Sequence, residues 1–232
     1  MHGTLDYFFA AHRTPMLDGR AANIWLGHIA LGLLVFTVLA FGLKAVTTPE
    51  VHARYTPIVV IHALSMIAWL MLLMAQAYLI GRGSLGLHRR LGQTSITLVA
   101  VMSVSGGIIS VNIGEELGRP EVTVVNLFAF FTFLPLYAAA LYFARQRDIH
   151  THRLAMLIGT LAFMTPAYAR VVQVVGLPDP VAIAVDVALT GAIAVGYDWA
   201  ASGRITKALM WMLGFSYGLL AVMIGILIVW FI

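Results

Sequence analysis

Seven separate apolar stretches, each long enough to cross a hydrocarbon core, set the limits on what this chain folds into. They lie at about 23–44, 57–80, 91–111, 122–144, 153–175, 180–199 and 205–232. A bilayer core of ~30 Å needs about 20 helical residues. The runs are continuous rather than alternating, which predicts helices and argues against a barrel. The sixth run is the shortest and carries Asp186. Composition points the same way: 61% of the 232 residues are hydrophobic and 10% charged, against roughly 45–50% and about 25% in ordinary soluble domains. The expected fold class is an all-α integral membrane protein with seven transmembrane helices. Residues 1–22 read as an N-terminal segment and 23–232 as a single transmembrane domain.

The basic residues alternate by loop. Arg13 and Arg20 precede the first helix, and Arg82, Arg89 and Arg90 lie between the second and third. Arg145, Arg147 and Arg153 lie between the fourth and fifth, and Arg204 and Lys207 between the sixth and seventh. With seven spans, these segments share one side. The other side has Glu115, Glu116 and Glu121, with Lys44 and Arg54 as exceptions. The positive-inside rule then predicts a cytoplasmic N-terminus, residues 1–22 included, and an external C-terminus. The net charge of +4 is read as this topology signal, so the expected partner is the lipid bilayer and not nucleic acid.

Several chemistries are excluded. The chain has no cysteine, so it has no disulfide, iron–sulfur cluster, thiolate zinc site or cysteine nucleophile. It lacks a P-loop, a G-x-G-x-x-G before a helix and an H-E-x-x-H. Lys44 and Lys207 fall at helix ends, so no mid-membrane lysine is present to form a retinal-type Schiff base.

Small residues recur at packing intervals. Helix 3 has Ser103, Gly106, Gly107 and Ser110; helix 6 has Ala184, Ala188, Ala192 and Gly196; helix 7 has Gly214, Gly218, Ala221 and Gly225. These stripes predict close packing inside the bundle, with a dimer seam as the alternative. Pro135 and Pro166 are expected to kink helices 4 and 5.

Shifting the chain by 64 residues lays helices 2–3 over helices 4–5 without a gap. His88-Arg89 falls on His152-Arg153, Tyr78 on Tyr142, and His62 on Asn126. Each unit is a helix, a basic turn with His-Arg, and a helix, and both cross the membrane in the same direction. The expected arrangement is a repeated helix-hairpin, four-helix core from helices 2–5, related by an axis along the membrane normal. Helices 1, 6 and 7 flank it.

The few polar residues inside the membrane fall at two depths, and ionisable groups there are costly and often functional. The outer layer holds His62, Asn126, Arg170 and Asp186, with an Arg170–Asp186 ion pair as the simplest neutralisation. Gln76 ends the stripe His62, Ser65, Met66, Trp69, Leu73 that runs down one face of helix 2. The inner layer holds His28, His88, His150 and His152, beside Arg89, Arg90 and Arg153. Neutral imidazoles ligate haem iron or a transition metal, and arginines at that level suit haem propionates. His-Arg at the start of a membrane helix also serves as a plain interfacial anchor.

The stretch His88-Arg89-Arg90-Leu91-Gly92, then Asp148-x-x-x-His152-Arg153-x-x-Met156, then Arg170 resembles a bacterial membrane family catalogued as domain of unknown function 2306. His62 and Gln76 match that family's His and Gln in the preceding helix. The likeness covers about 57–175. Ala155 stands where the family usually has Trp. The resemblance implies a bacterial inner-membrane location and carries no activity with it. More loosely, the core is similar to di-haem membrane proteins of the cytochrome b-561 type. That likeness implies His88 and His152 as the ligands of an inner haem b, and His62 with Asn126 as the outer pair.

Three readings remain open. The first is a b-type haem electron carrier, with His88 and His152 as ligands and Arg89, Arg90 or Arg153 at the propionates. His28 and His150 are weaker metal candidates. The second is a non-catalytic accessory or assembly subunit of a larger membrane complex. The third is a small transporter or metal enzyme built on His62, Arg170 and Asp186.

Overall fold

A computed structural model describes residues 17–231, so most of the N-terminal segment, Arg13 included, lies outside the described residues. All regular structure among those residues is helical. The helices are α1 (Gly19–Thr47), α2 (Pro57–Gly81), α3 (Leu85–Leu117), α4 (Pro120–Arg145), α5 (Ile149–Leu161), α6 (Thr165–Val174), α7 (Pro180–Ser202) and α8 (Lys207–Phe231). A 3-10 turn, Pro49–Arg54, joins α1 to α2. Together α5 and α6 make one span, so seven spans are present as the apolar runs predict. The chain is an integral membrane protein by this architecture.

Local chemistry sets the helix ends. Pro57, Pro120 and Pro180 each occupy a first turn, where the missing N–H has no helical partner to lose. Asp18 caps α1 by accepting from Ala21 N at 2.6 Å, and Asp148 caps α5 by accepting from Thr151 N at 3.1 Å. Several helices overrun their apolar runs by up to two turns. The largest case is α3, with 33 residues. Its ends carry His88-Arg89-Arg90 and Glu115-Glu116, which stay helical where the hydrocarbon stops.

Six spans form a closed ring in the order α1, α2, α3, α4, α8, α7, each packed on the next. The fifth span is the axis: α5 packs on α4, α7 and α8, and α6 on α1 and α7. It is the least apolar span but the most enclosed, with 61% of its 18-residue apolar stretch buried against 11–28% in the others. An axial helix needs no lipid-compatible face, which explains how it tolerates Thr151, Gly159 and Thr160. Helices 2–5 pack consecutively, as the repeat implies. The fifth span reaches beyond that core to contact all three flanking helices.

The 64-residue repeat holds bond for bond at the two hairpin turns. Arg82 N bonds to Tyr78 O as Gln146 N bonds to Tyr142 O. Gly83 N meets Ile80 O as Arg147 N meets Ala144 O, and Ser84 N meets Leu79 O as Asp148 N meets Phe143 O. These are Schellman caps, which place one residue in the left-handed region. It is Gly83 (φ 79°) in the first unit and Arg147 (φ 63°) in the second.

Two expectations change. Pro166 does more than kink the fifth span: the helix stops at Leu161 and restarts at Thr165. Pro135 lies inside an uninterrupted α4. The small-residue stripes of helices 6 and 7 do not pack inside the bundle. Ala184, Ala188, Ala192 and Gly196 are exposed, as are Gly214, Gly218, Ala221 and Gly225. These helices bury other faces, including Ala182, Ala194 and Tyr197 on α7 and Leu209, Met212 and Met223 on α8. On α3 the expectation holds at Gly106, where a Cβ would collide with Phe130 and His62.

Candidate functional site

His88 and His152 are each the fourth residue of their helices, and each sends Nδ1 back to the helix before it in its hairpin. His88 Nδ1 lies 3.4 Å from Gln76 O and His152 Nδ1 2.8 Å from Ala140 O. Donor and acceptor are twelve residues apart in both units. A carbonyl only accepts, so Nδ1 carries the hydrogen and Nε2 keeps its lone pair. That is the tautomer a metal-ligating histidine uses, with the second nitrogen held by a backbone carbonyl.

An unpaired polar atom lies beside this pair. Gln76 Oε1 is buried without a hydrogen-bond partner, on the residue whose carbonyl holds His88. A buried amide oxygen left unpaired costs about 1–3 kcal/mol, so it marks a place where a further donor fits. The Gln76 side chain also borders Gly92, with Nε2 3.7 Å from where a Cβ would sit. Above this level the bundle centre is filled by Trp69, Phe133, Tyr137 and Phe163.

The arginines divide. Arg153 is committed, with Nε donating to Ile149 O at 3.2 Å and Nη1 to Gly19 O at 3.3 Å, which ties α5 to the start of α1. Arg89 and Arg90 are exposed and make no ion pair among the described residues.

The weaker metal candidates do not converge. His150 Nε2 donates to Asp198 Oδ1 at 2.7 Å, so its nitrogen is taken. His28 is exposed and lies edge-on to Tyr78, with ring centroids 5.6 Å apart. Among the described residues no group of three or more His, Asp or Glu side chains is placed to hold a metal ion.

The outer residues do not form one layer. His62 Nδ1 is 3.1 Å from Ser105 Oγ, and Ser105 donates its own hydrogen to Val101 O at 2.6 Å. His62 therefore donates to Ser105 and is not joined to Asn126. Arg170 and Asp186 form no ion pair. The Arg170 guanidinium lies over Phe41, 5.2 Å from the ring centroid. Asp186 accepts from Thr165 Oγ1 at 2.7 Å and from Thr190 Oγ1 at 3.4 Å. They separate because Asp186 points to the break between α5 and α6, whereas Arg170 comes a turn and a half later and points toward α1.

Sequence reasoning passes over the most enclosed polar residue among those described. Asp198 has 0% exposure. Its carboxylate accepts from His150 Nε2, from Thr206 N at 2.7 Å and from Thr206 Oγ1 at 3.0 Å. Thr206 Oγ1 in turn caps α8 by accepting from Leu209 N at 3.2 Å. The signal available was Thr206 followed by Lys207, a helix start just after Gly203. The network locks α5, α7 and α8 together at the basic face.

The chain matches no family model, no curated protein and no solved structure.

Proposed function

We propose that this membrane protein carries electrons through a b-type haem held by His88 and His152 at its basic face. The observation that supports this is the matched pair of Nδ1–carbonyl hydrogen bonds, which leaves Nε2 of both histidines as a ligand nitrogen. The unpaired Gln76 Oε1 beside them suits a further donor from a bound group. Arg89 and Arg90 are free to hold propionates; Arg153 is the poorer candidate because its guanidinium already braces α1. A bound haem b supplies one-electron redox chemistry. The chain's own part is to fix the imidazole orientation, through Gln76 O and Ala140 O, and to exclude water through the aromatic packing around Trp69. The basic loops suit the cytoplasmic side of a membrane by the positive-inside rule, which supports a basic face turned to the cytoplasm.

The test is the optical spectrum of protein extracted from membranes in mild detergent, with a pyridine haemochrome assay. The expected result is a Soret band that sharpens on reduction and is lost in His88→Ala and in His152→Ala. Wild-type protein purified from haem-replete cells without bound haem would refute the reading.

A further inference from the structure

The fifth span breaks where Pro166 removes the amide hydrogen that Ala162 O would take in a continuous helix. Ala167 N turns instead to Met164 O, three residues back, so Phe163 O loses its donor as well. Two main-chain carbonyls are thus left without a backbone donor in the middle of the bundle. Asp186 stands at this break. Its carboxylate is held by the hydroxyls of Thr165 and Thr190 and forms no ion pair with any described residue. A cavity of about 70 Å³ opens here between α4, α5, α7 and α8, lined among others by Thr132, Ala162, Thr165, Asp186, Thr190 and Ser216.

The hydroxyls around the cavity all spend their hydrogens elsewhere. Thr165 and Thr190 donate to Asp186, Thr132 donates to Phe128 O at 3.0 Å, and Ser216 to Met212 O at 2.8 Å. Each oxygen keeps lone pairs. The site therefore offers one carboxylate and several neutral oxygens, with no nitrogen or sulfur ligand. Hard oxygen donors suit hard cations, and divalent ions use more charge and a fuller shell than one carboxylate gives. A carboxylate at membrane depth is neutralised either by a proton or by a counter-ion, and an oxygen-lined cavity suits the second. Broken membrane helices, with freed carbonyls at the end of a half-helix, are a recurring way to build such a site.

We infer that the break between α5 and α6 binds one small monovalent cation of the sodium type, with Asp186 as its charged ligand. The site lies apart from the histidine pair and stands or falls independently of haem binding.

The test is equilibrium binding of radioactive sodium to the purified full chain in detergent, with lithium, potassium and choline as competitors at constant ionic strength and pH. Saturable binding that lithium displaces and choline does not is expected. Asp186→Asn abolishes it, and Thr190→Ala, which frees the carboxylate, weakens it by about 10-fold. Circular dichroism and gel filtration show whether each variant is folded. If Asp186→Asn is not, Ser216→Ala, expected to lower affinity by removing one neutral oxygen, carries the test with Thr190→Ala. Absence of saturable sodium binding by wild type, or binding unchanged in the folded variants, overturns the inference.

Discussion

Trp69 and Phe133, which hold the same place in the two repeat units, meet edge to face at the bundle centre, with ring centroids 5.1 Å apart and planes at 88°. Equivalent residues that touch must lie beside the axis that relates them. An axis along the membrane normal relating the two units, as the repeat implies, would pass beside this contact. The two units differ on either side of it: Trp69 Nε1 donates to Thr160 Oγ1 at 3.2 Å, a bond that Phe133 cannot reciprocate.

This makes Trp69 the first test of the core. It is 1% exposed. Trp69→Ala is expected to destabilise the protein by about 3–5 kcal/mol, the range for emptying a large aromatic site. Trp69→Phe keeps most of the packing and loses one hydrogen bond, so its cost is about 1 kcal/mol. Unfolding by SDS in mixed micelles measures both. Equal losses for the two variants would place the energy in the hydrogen bond and not in the ring.

The Schellman turns give a prediction with the opposite sign. Arg147 adopts the left-handed conformation that Gly83 occupies in the other unit. A side chain there strains the backbone, and glycine does not. Arg147→Gly is therefore expected to stabilise the hairpin by ~1 kcal/mol, and Gly83→Ala to destabilise its partner by a similar amount. Thermal unfolding in detergent of the two single variants tests the pair.

These turns also mark what the sequence makes legible. The 64-residue offset is visible in His88-Arg89 and His152-Arg153 because side chains at a turn are read directly. Seven spans follow from the apolar runs because lipid demands them. The inward faces of α7 and α8 are not legible, because in lipid both sides of a helix are apolar. Small residues at helical spacing look the same facing a neighbour or facing outward, and here Gly214 and Gly218 are exposed on the outside of the bundle. Long-range polar pairing is equally hidden. Nothing in the chain order joins His150 to Asp198, or gives Asp186 to Thr165 in place of Arg170; only Thr190, four residues on in the same helix, is a partner that helical spacing offers.

Asp198 is expected to be the least replaceable polar residue. Asp198→Ala leaves His150 Nε2 and the Thr206 amide without their acceptor in a half-buried position, at about 1 kcal/mol for each, the low end of the range for an unpaired group. Asp198→Asn keeps an acceptor for Thr206 N and is expected to be milder. Yield of folded protein and unfolding midpoint rank the two. If both behave as wild type, water already reaches the site and the network is not what joins α5, α7 and α8.

Asp148 lies in the α4–α5 turn at the basic face and titrates with folding. Burial pushes its carboxyl up, but hydrogen bonding from Thr151 and the nearby His150 outweigh this and hold it below the usual range. A lowered folded value means the unfolded chain binds more protons. The cap's stabilisation is then complete above the unfolded value of about 3.9 and is lost as pH falls through the lower folded value. Asp148→Asn is expected to flatten this acid limb while leaving neutral-pH stability nearly intact. Asp148→Ala loses the cap itself, about 1 kcal/mol. Unfolding midpoints across the acid range distinguish the two variants.

The break in the fifth span has two candidate causes, and one substitution separates them. Pro166 withholds the hydrogen that would close the helix onto Ala162 O. Phe163 is also pinned inside the break, its ring 5.0 Å from that of Phe130 and 4.5 Å from that of Phe133. If proline is the cause, Pro166→Ala joins α5 to α6, and amide hydrogen exchange at 163–167 slows. Sodium binding at Asp186 then falls, because the freed carbonyls are withdrawn into the helix. If the aromatic contacts are the cause, exchange stays fast and binding is unchanged. Pro135→Ala is the control: α4 runs unbroken from Pro120 to Arg145 with the proline in place, so its exchange pattern should hardly move. A proline within packed helices need not break one. The expectation for Pro166 therefore rests on its place in the first turn of α6, where the hydrogen-bond ladder is interrupted although Met164 keeps right-handed helical dihedrals.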